Sequence, residues 1–435
     1  MVTPSPFSKR NYYLMMSYLV FYFLGLGYLW CFFFVAIAGP KHWKKLSLVN
    51  SKGALNYTSL GFFLLSLLLT SRSVLAVVFE QNALRTSLGE IYSSLIWLFI
   101  GLFIRKLSLM NSSELLGILK GFYDLAKIQG IISLVAVLIH PSPISVFQTP
   151  LGFLNPDTGS SSSWSTLSLA YSGWFGGEVI RSSGIMASAA WSAYFGMVVI
   201  FIRVFFNKQL RDIVKYKFLD KIFFILLLVS QFTFYTRIPI LLLLTALFYE
   251  RFRNSHILIK VVSYSTALCF FLLIFLLSSA FERAQVFSSK LIILRRGSSS
   301  IRINSWNALR DILGDSDVTT RIFGLGVKPK IFGENNFGLG SEGTFFSLLV
   351  RGGLISLVIF LLILMILTVK VARNNEISPL TFLVFSVFPI FFVDYDGGHL
   401  YFFGLVTLTA ISSHAQLNMN ADIVNDKKDF NNLSV

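Results

Sequence analysis

The chain has 435 residues, 54% of them hydrophobic and 13% charged, with a formal net charge of +16. Soluble domains average roughly 45–50% apolar and about 25% charged residues, so this composition argues against a soluble globule. The positive charge does not indicate nucleic acid, because Lys and Arg are dispersed among short connections between apolar blocks, where membrane topology alone would place many of them.

In chain order the apolar blocks fall at about 12–38, 55–79, 88–104, 115–139, 186–206, 222–236, 238–249, 261–280, 345–369, 378–393 and 399–413. About 20 such residues are needed to cross a hydrocarbon core of about 30 Å as a helix, and several blocks exceed that. The first block follows Lys9 and Arg10 and ends in Ala36-Ile37-Ala38-Gly39, which mimics a signal-peptide cleavage site. Its length is too great for an ordinary signal-peptide core, so a retained membrane segment is expected. Cys31 and Cys269 both lie inside apolar blocks without a His, Cys or acidic cluster beside them, so neither a disulfide framework nor a metal site follows.

The block pattern predicts an all-α integral membrane protein, a bundle of about 11–12 transmembrane helices. It divides into N-terminal helices over 1–140, a first long loop over 141–185 and central helices over 186–280. A second long loop over 281–344, C-terminal helices over 345–413 and a tail over 414–435 complete it. Lys and Arg in short loops mark the inner side of a membrane. Lys208, Arg211, Lys215, Lys217 and Lys221, and then Arg251, Arg253 and Lys260, place their loops inside. Both long loops, and the turn with Asp394 and Asp396, then fall outside.

Simple alternation conflicts at the N-terminus, since Lys41, Lys44, Lys45 and Lys52 claim the inner side and so do Lys9 and Arg10. Either 12–38 forms a tight hairpin, interrupted at Gly25 and Gly27, or 55–79 breaks at Arg72; twelve segments are then expected. Over 222–249 a single span would hold Arg237 near the bilayer centre at a cost of at least about 2.5–3.5 kcal/mol. Two shorter helices meeting near the outer face, with Pro239 supporting the break, avoid that cost.

Arg237, in Tyr-Thr-Arg-Ile-Pro, is the first functional candidate, as an intramembrane cation that calls for an anion; a snorkelling arginine is the bland alternative. Arg181 opens the segment running to Trp191, where the first long loop re-enters the membrane among small residues. The second long loop adds Arg302, Trp306 and the pair Arg295 and Arg296, and carries nine Lys and Arg against six Asp and Glu. Glu342 precedes the next apolar run, at the mouth of the bundle, where a carboxylate could act as a general base or simply favour a helix N-terminus. His399 could join an external site. No Gly-rich phosphate loop, His-Glu-x-x-His, Gly-x-Ser-x-Gly or metal-ligand cluster is present, so no cofactor or metal is expected.

Three segments within about 175–370 resemble the O-antigen polymerase and O-antigen ligase superfamily of bacterial inner membranes. Arg181 to Trp191 resembles the arginine-and-glycine motif where the family's loop re-enters the membrane. Phe232 to Leu241 resembles its Ser-Arg motif, with Thr236 in place of the serine. Arg302 to Gly326, with Trp306 and Gly324-Leu325-Gly326, resembles the loop leading to the last motif. That motif in the ligases is a histidine, ten residues and a glycine; here Glu342 and Gly353 have the spacing and the histidine is absent.

The resemblance implies an oligosaccharide on undecaprenyl pyrophosphate as substrate, presented at the periplasmic leaflet and transferred by a glycosyltransferase that needs no metal in principle. It implies Arg181 and Arg237 on the pyrophosphate, Arg302 in support and Glu342 at the acceptor hydroxyl. The missing histidine favours a polymerase over a ligase. Membrane lipid, a chain-length regulator and a repeat-unit flippase are the implied partners, and no nucleic acid. A polysaccharide flippase or other transporter is the competing class. The absence of half-to-half similarity and the two large loops on one face weigh against it.

Overall fold

The computed structural model describes residues 8–24, 29–37, 54–80, 84–107, 109–110, 112–139, 146–148, 166–168, 170–172, 180–182, 185, 189–205, 210, 216–234, 237–252, 309, 311–326, 343–374, 377–387, 389, 404 and 407. The helices are α1 (Lys9–Phe23), α2 (Trp30–Ile37), α3 (Ala54–Glu80), α4 (Leu84–Leu107), α5 (Ser112–Ile139), α6 (Ala189–Phe205), α7 (Lys217–Thr233), α8 (Arg237–Phe252), α9 (Val318–Phe323), α10 (Thr344–Asn374) and α11 (Pro379–Ser386). Among the described residues, three stretches are long and apolar enough to cross a membrane: Tyr57–Ala76, Ser113–Leu138 and Thr344–Ala372. Their exposed faces are apolar, with Phe63, Leu64 and Leu67 on α3 and Val358, Leu362 and Met365 on α10. Such continuous apolar stripes suit lipid and not water, and mark a helical membrane protein.

The bundle is all-helical, as expected. The first long loop contains four three-residue strands, paired antiparallel as β1 (Val146–Gln148) with β2 (Thr166–Ser168) and β3 (Ala170–Ser172) with β4 (Ile180–Ser182). These segments lack the apolar length of a span, and local strand pairing satisfies their backbone groups.

The N-terminal conflict resolves as a hairpin. Ser8 caps α1 by accepting from the Asn11 N–H at 3.4 Å. Trp30 at the start of α2 donates its Nε1–H to the Leu14 carbonyl at 3.2 Å, and Arg10 donates to the Ile37 carbonyl at 2.8 Å. The end of α2 therefore returns to the start of α1. The alternative, a break at Arg72, is overturned: α3 runs unbroken through that residue. The expected split of 222–249 is present, since α7 ends at Thr233 and α8 starts at Arg237. Pro239 sits in the first turn of α8, where its missing N–H would have had no helical partner.

Helix directions follow from specific contacts. Ser59 donates to the Gly101 carbonyl at 2.7 Å and Ser66 to the Ser94 carbonyl at 2.8 Å, so α3 and α4 are antiparallel. These serines recur at heptad spacing, which keeps them on one face, and their small size lets the helix backbones approach. At the centre Trp97 stacks on Phe62 with centroids 5.8 Å apart and meets Phe360 of α10 edge-on at 5.4 Å. Gly61 abuts Ile363 and Gly352 abuts Leu69, so α10 runs antiparallel to α3. The Ser8 N–H bonds to the Ser113 carbonyl, and the Ser378 N–H to the Glu250 carboxylate. Together these contacts gather Lys9, Arg10, Arg105, Lys106, Arg203, Lys217, Arg251 and Lys370 toward one end, called here the basic end. Strands β3 and β4 and residues 311–326 belong to the opposite, loop end.

Candidate functional site

At the loop end α10 is broken. Gly353 has φ 64° and ψ −164°, outside helical space. In a continuous helix the Val350 and Arg351 carbonyls would accept from Leu354 and Ile355. Instead the Leu325 N–H donates to Val350 O at 2.7 Å and the Gly326 N–H to Arg351 O at 2.9 Å. The Ser356 hydroxyl donates to the Leu348 carbonyl at 2.7 Å and approaches the Gly353 carbonyl at 3.0 Å. The Gly324-Leu325-Gly326 turn thus replaces the missing helical donors.

Glycine is required on both sides of this junction. Gly324 has φ 73°, and a Cβ there would collide with the Gly353 nitrogen; Gly353 has its own positive φ and lies against the Ile322 carbonyl. The turn is tied to α3 as well, through Ser73 donating to the Gly326 carbonyl at 2.7 Å and Arg72 donating to the Gly324 carbonyl. Leu309, Phe346 and Val350 form a small apolar cluster that seats the second long loop on the first half of α10.

Arg351, one turn before Ile355, is fully buried and pairs with Glu90 of α4, Nε to Oε2 at 2.8 Å. Its Nη2 also donates to the Glu90 carbonyl at 2.7 Å and to the Ser94 hydroxyl at 2.6 Å. A buried guanidinium with a carboxylate sums to zero charge, and removing either partner would leave an uncompensated ion. This pair fixes the first half of α10 on α4, and the sequence reading did not single it out.

The expected site residues fare as follows. Arg181 lies in β4, opposite Tyr171 of β3, and β4 packs against α5 and α7. Arg237 is the first residue of α8, immediately past the end of α7. Their backbones thus belong to the same end of the bundle. Glu342, Arg302, Arg295, Arg296, Trp306 and His399 lie outside the described residues. Glu342 precedes Gly343, whose carbonyl accepts from the Ser347 N–H in the first turn of α10 at 3.0 Å. Among the described residues no group of three or more His, Cys, Asp or Glu side chains is placed to hold a metal ion. A scan against protein-family models finds no match, and a search of curated proteins finds none either.

Proposed function

We propose that this protein polymerises undecaprenyl-pyrophosphate-linked oligosaccharide repeats into O-antigen or a related surface polysaccharide, at the periplasmic face of a bacterial inner membrane. In this reading the chain has eleven to twelve membrane segments, the basic end is cytoplasmic and the two long loops are periplasmic. The observation that carries it is the convergence of both long loops at one end, with Arg181 and Arg237 there and the Gly-Leu-Gly turn fastened beside the helix that follows Glu342.

In the reaction, the bond from the reducing-end sugar to the pyrophosphate breaks and a bond to an acceptor sugar hydroxyl forms. The leaving carrier gains negative charge, which Arg181 and Arg237 stabilise by charge-assisted hydrogen bonding, with Arg302 in support. Glu342 takes the proton of the acceptor hydroxyl. Arg295, Arg296, Trp306 and His399 are assigned to glycan binding. The step requires no cofactor or metal in this scheme. Chain-length regulator and flippase are the partners that such a reaction needs around it.

Arg237→Ala should lower polymer formation about 10²–10³-fold, the usual effect of removing one transition-state donor, at unchanged abundance in the membrane. Wild-type activity in both Arg237→Ala and Arg237→Lys would defeat the assignment. For Glu342→Gln, an unaltered rate across pH would remove the base role. A ligase that moves the glycan to lipid A core uses the same donor chemistry and is the nearest alternative. A transporter is the second reading, favoured by the break in α10, because discontinuous membrane helices commonly build transport sites.

A further inference from the structure

The apolar stretch Tyr57–Ala76 of α3 contains one charged residue, Arg72, four residues before its loop-end limit. At 1.5 Å per residue that is about 6 Å inside the apolar run, where an ionised side chain is costly and normally takes a partner. The bonds it makes do not neutralise it. Arg72 donates to the Gly324 carbonyl, its Nε–H is buried without an acceptor, and among the described residues no carboxylate pairs with it. Arg351 shows the contrast, with the Glu90 carboxylate at 2.8 Å. A carbonyl supplies a dipole and not a counter-charge, so the Arg72 guanidinium calls for an anion.

The side chain also sits on a boundary. Leu65, Leu69 and Ala76, at i−7, i−3 and i+4, are buried, whereas Leu64, Ser71 and Leu75, at i−8, i−1 and i+3, are exposed. Arg72 is half-buried between the two faces. One face packs on α10, with Gly61 against Ile363 and Gly352 against Leu69; the other belongs to the apolar stripe of α3. Across the seam, exposed Leu354 and Val358 continue that surface on α10, starting at the residue after Gly353. A cation at the loop-end limit of an apolar surface shared by two helices matches an amphiphile with a negative headgroup and hydrocarbon tails.

We propose that Arg72 binds the phosphate headgroup of an anionic phospholipid in the leaflet at the loop end, with the acyl chains lying along the seam of α3 and α10. The site does not depend on the glycan chemistry assigned to Arg181 and Arg237. Arg72→Gln keeps an amide donor for the Gly324 carbonyl and removes the charge, so it separates the lipid contact from the tie to the turn. Arg72→Lys keeps the charge and should keep the binding.

The test is native mass spectrometry of the full-length protein in neutral detergent, titrated separately with phosphatidylglycerol and phosphatidylcholine. The wild-type protein and Arg72→Lys should retain phosphatidylglycerol in preference. Arg72→Gln should weaken that binding about fivefold, the effect of one interfacial charge. Arg321→Gln is the control and should bind as wild type, because Arg321 is an exposed loop-end cation on α9 that donates to the Gly314 and Ser316 carbonyls. Phosphatidylglycerol with a photoactivatable acyl chain locates the site on the wild-type protein, and decides the matter if Arg72→Gln does not fold. It should label residues 64–78 and 354–365 ahead of the matching phosphatidylcholine. Equal phosphatidylglycerol binding by folded Arg72→Gln and wild type, an equal loss in Arg321→Gln, equal retention of phosphatidylcholine by wild type, full displacement by millimolar inorganic phosphate, or labelling confined to other segments would each overturn the proposal.

Discussion

The protein places arginine–carboxylate pairs toward both ends of its bundle, and the two arrangements differ in how many helices they join. At the loop end Arg351 and Glu90 cancel, and every described bond around them fixes geometry: a helix break, a turn and a neighbouring helix. Toward the basic end the series from Lys120 through Asp124, Lys127 and Asp220 to Arg203 runs across α5, α7 and α6. A pair between two helices holds a helix break in place; a series across three ties those helices to one another.

Breaking the closed pair should give the largest effect. Arg351→Ala strands the Glu90 carboxylate and should cost about 3–5 kcal/mol, seen as loss of monodisperse protein on heating in detergent. The double replacement Arg351→Met with Glu90→Met should recover most of that loss, since the pair exists for position and not for net stabilisation. Failure of the double variant to recover would mean that Arg351 is needed as a charge. Gly353→Ala comes next, at about 1–3 kcal/mol for an L residue held at positive φ, plus the contact with Ile322, in the same assay.

Ser66→Ala on α3 should cost only about 0.6 kcal/mol, because hydrogen bonds between membrane helices are weak. Ser66→Leu should exceed it by forcing α3 from α4. The smallest effect belongs to Asp317, which caps α9 and whose carboxyl is held below its usual value by hydrogen bonds from Thr320. A folded-state value below the unfolded one stabilises above about pH 4, and that stability is lost as pH falls through the lowered value. Amide exchange at Thr320 should therefore quicken on acidification, and Asp317→Asn should remove that dependence while keeping the cap.

Much of the frame was legible in the sequence. Apolar length gave the three long candidate spans, and the lysines on either side of 12–38 called for either a hairpin there or a break at Arg72, of which the Arg10 to Ile37 contact supports the hairpin. The split before Arg237 followed from the cost of a buried cation and from Pro239. Arg351 was missed although it also lies in an apolar block, because its significance depends on Glu90, 261 residues away. The same holds for Asp124: its spacing to Lys120 and Lys127 was readable on one helix, but Asp220 and Arg203 come from two others. The break at Gly353 was invisible as a break, since the donors that permit it come from Leu325 and Gly326 in a distant loop. The spacing of Glu342 to Gly353 nevertheless singled out that glycine.

The measurement that bears most directly on the proposed function is a gel of surface polysaccharide from the native host with this gene deleted and then restored, either as wild type or as Arg237→Ala. The account predicts that deletion removes the ladder and leaves a single-repeat band, that the wild-type gene restores the ladder, and that Arg237→Ala does not. An unchanged ladder on deletion would contradict it.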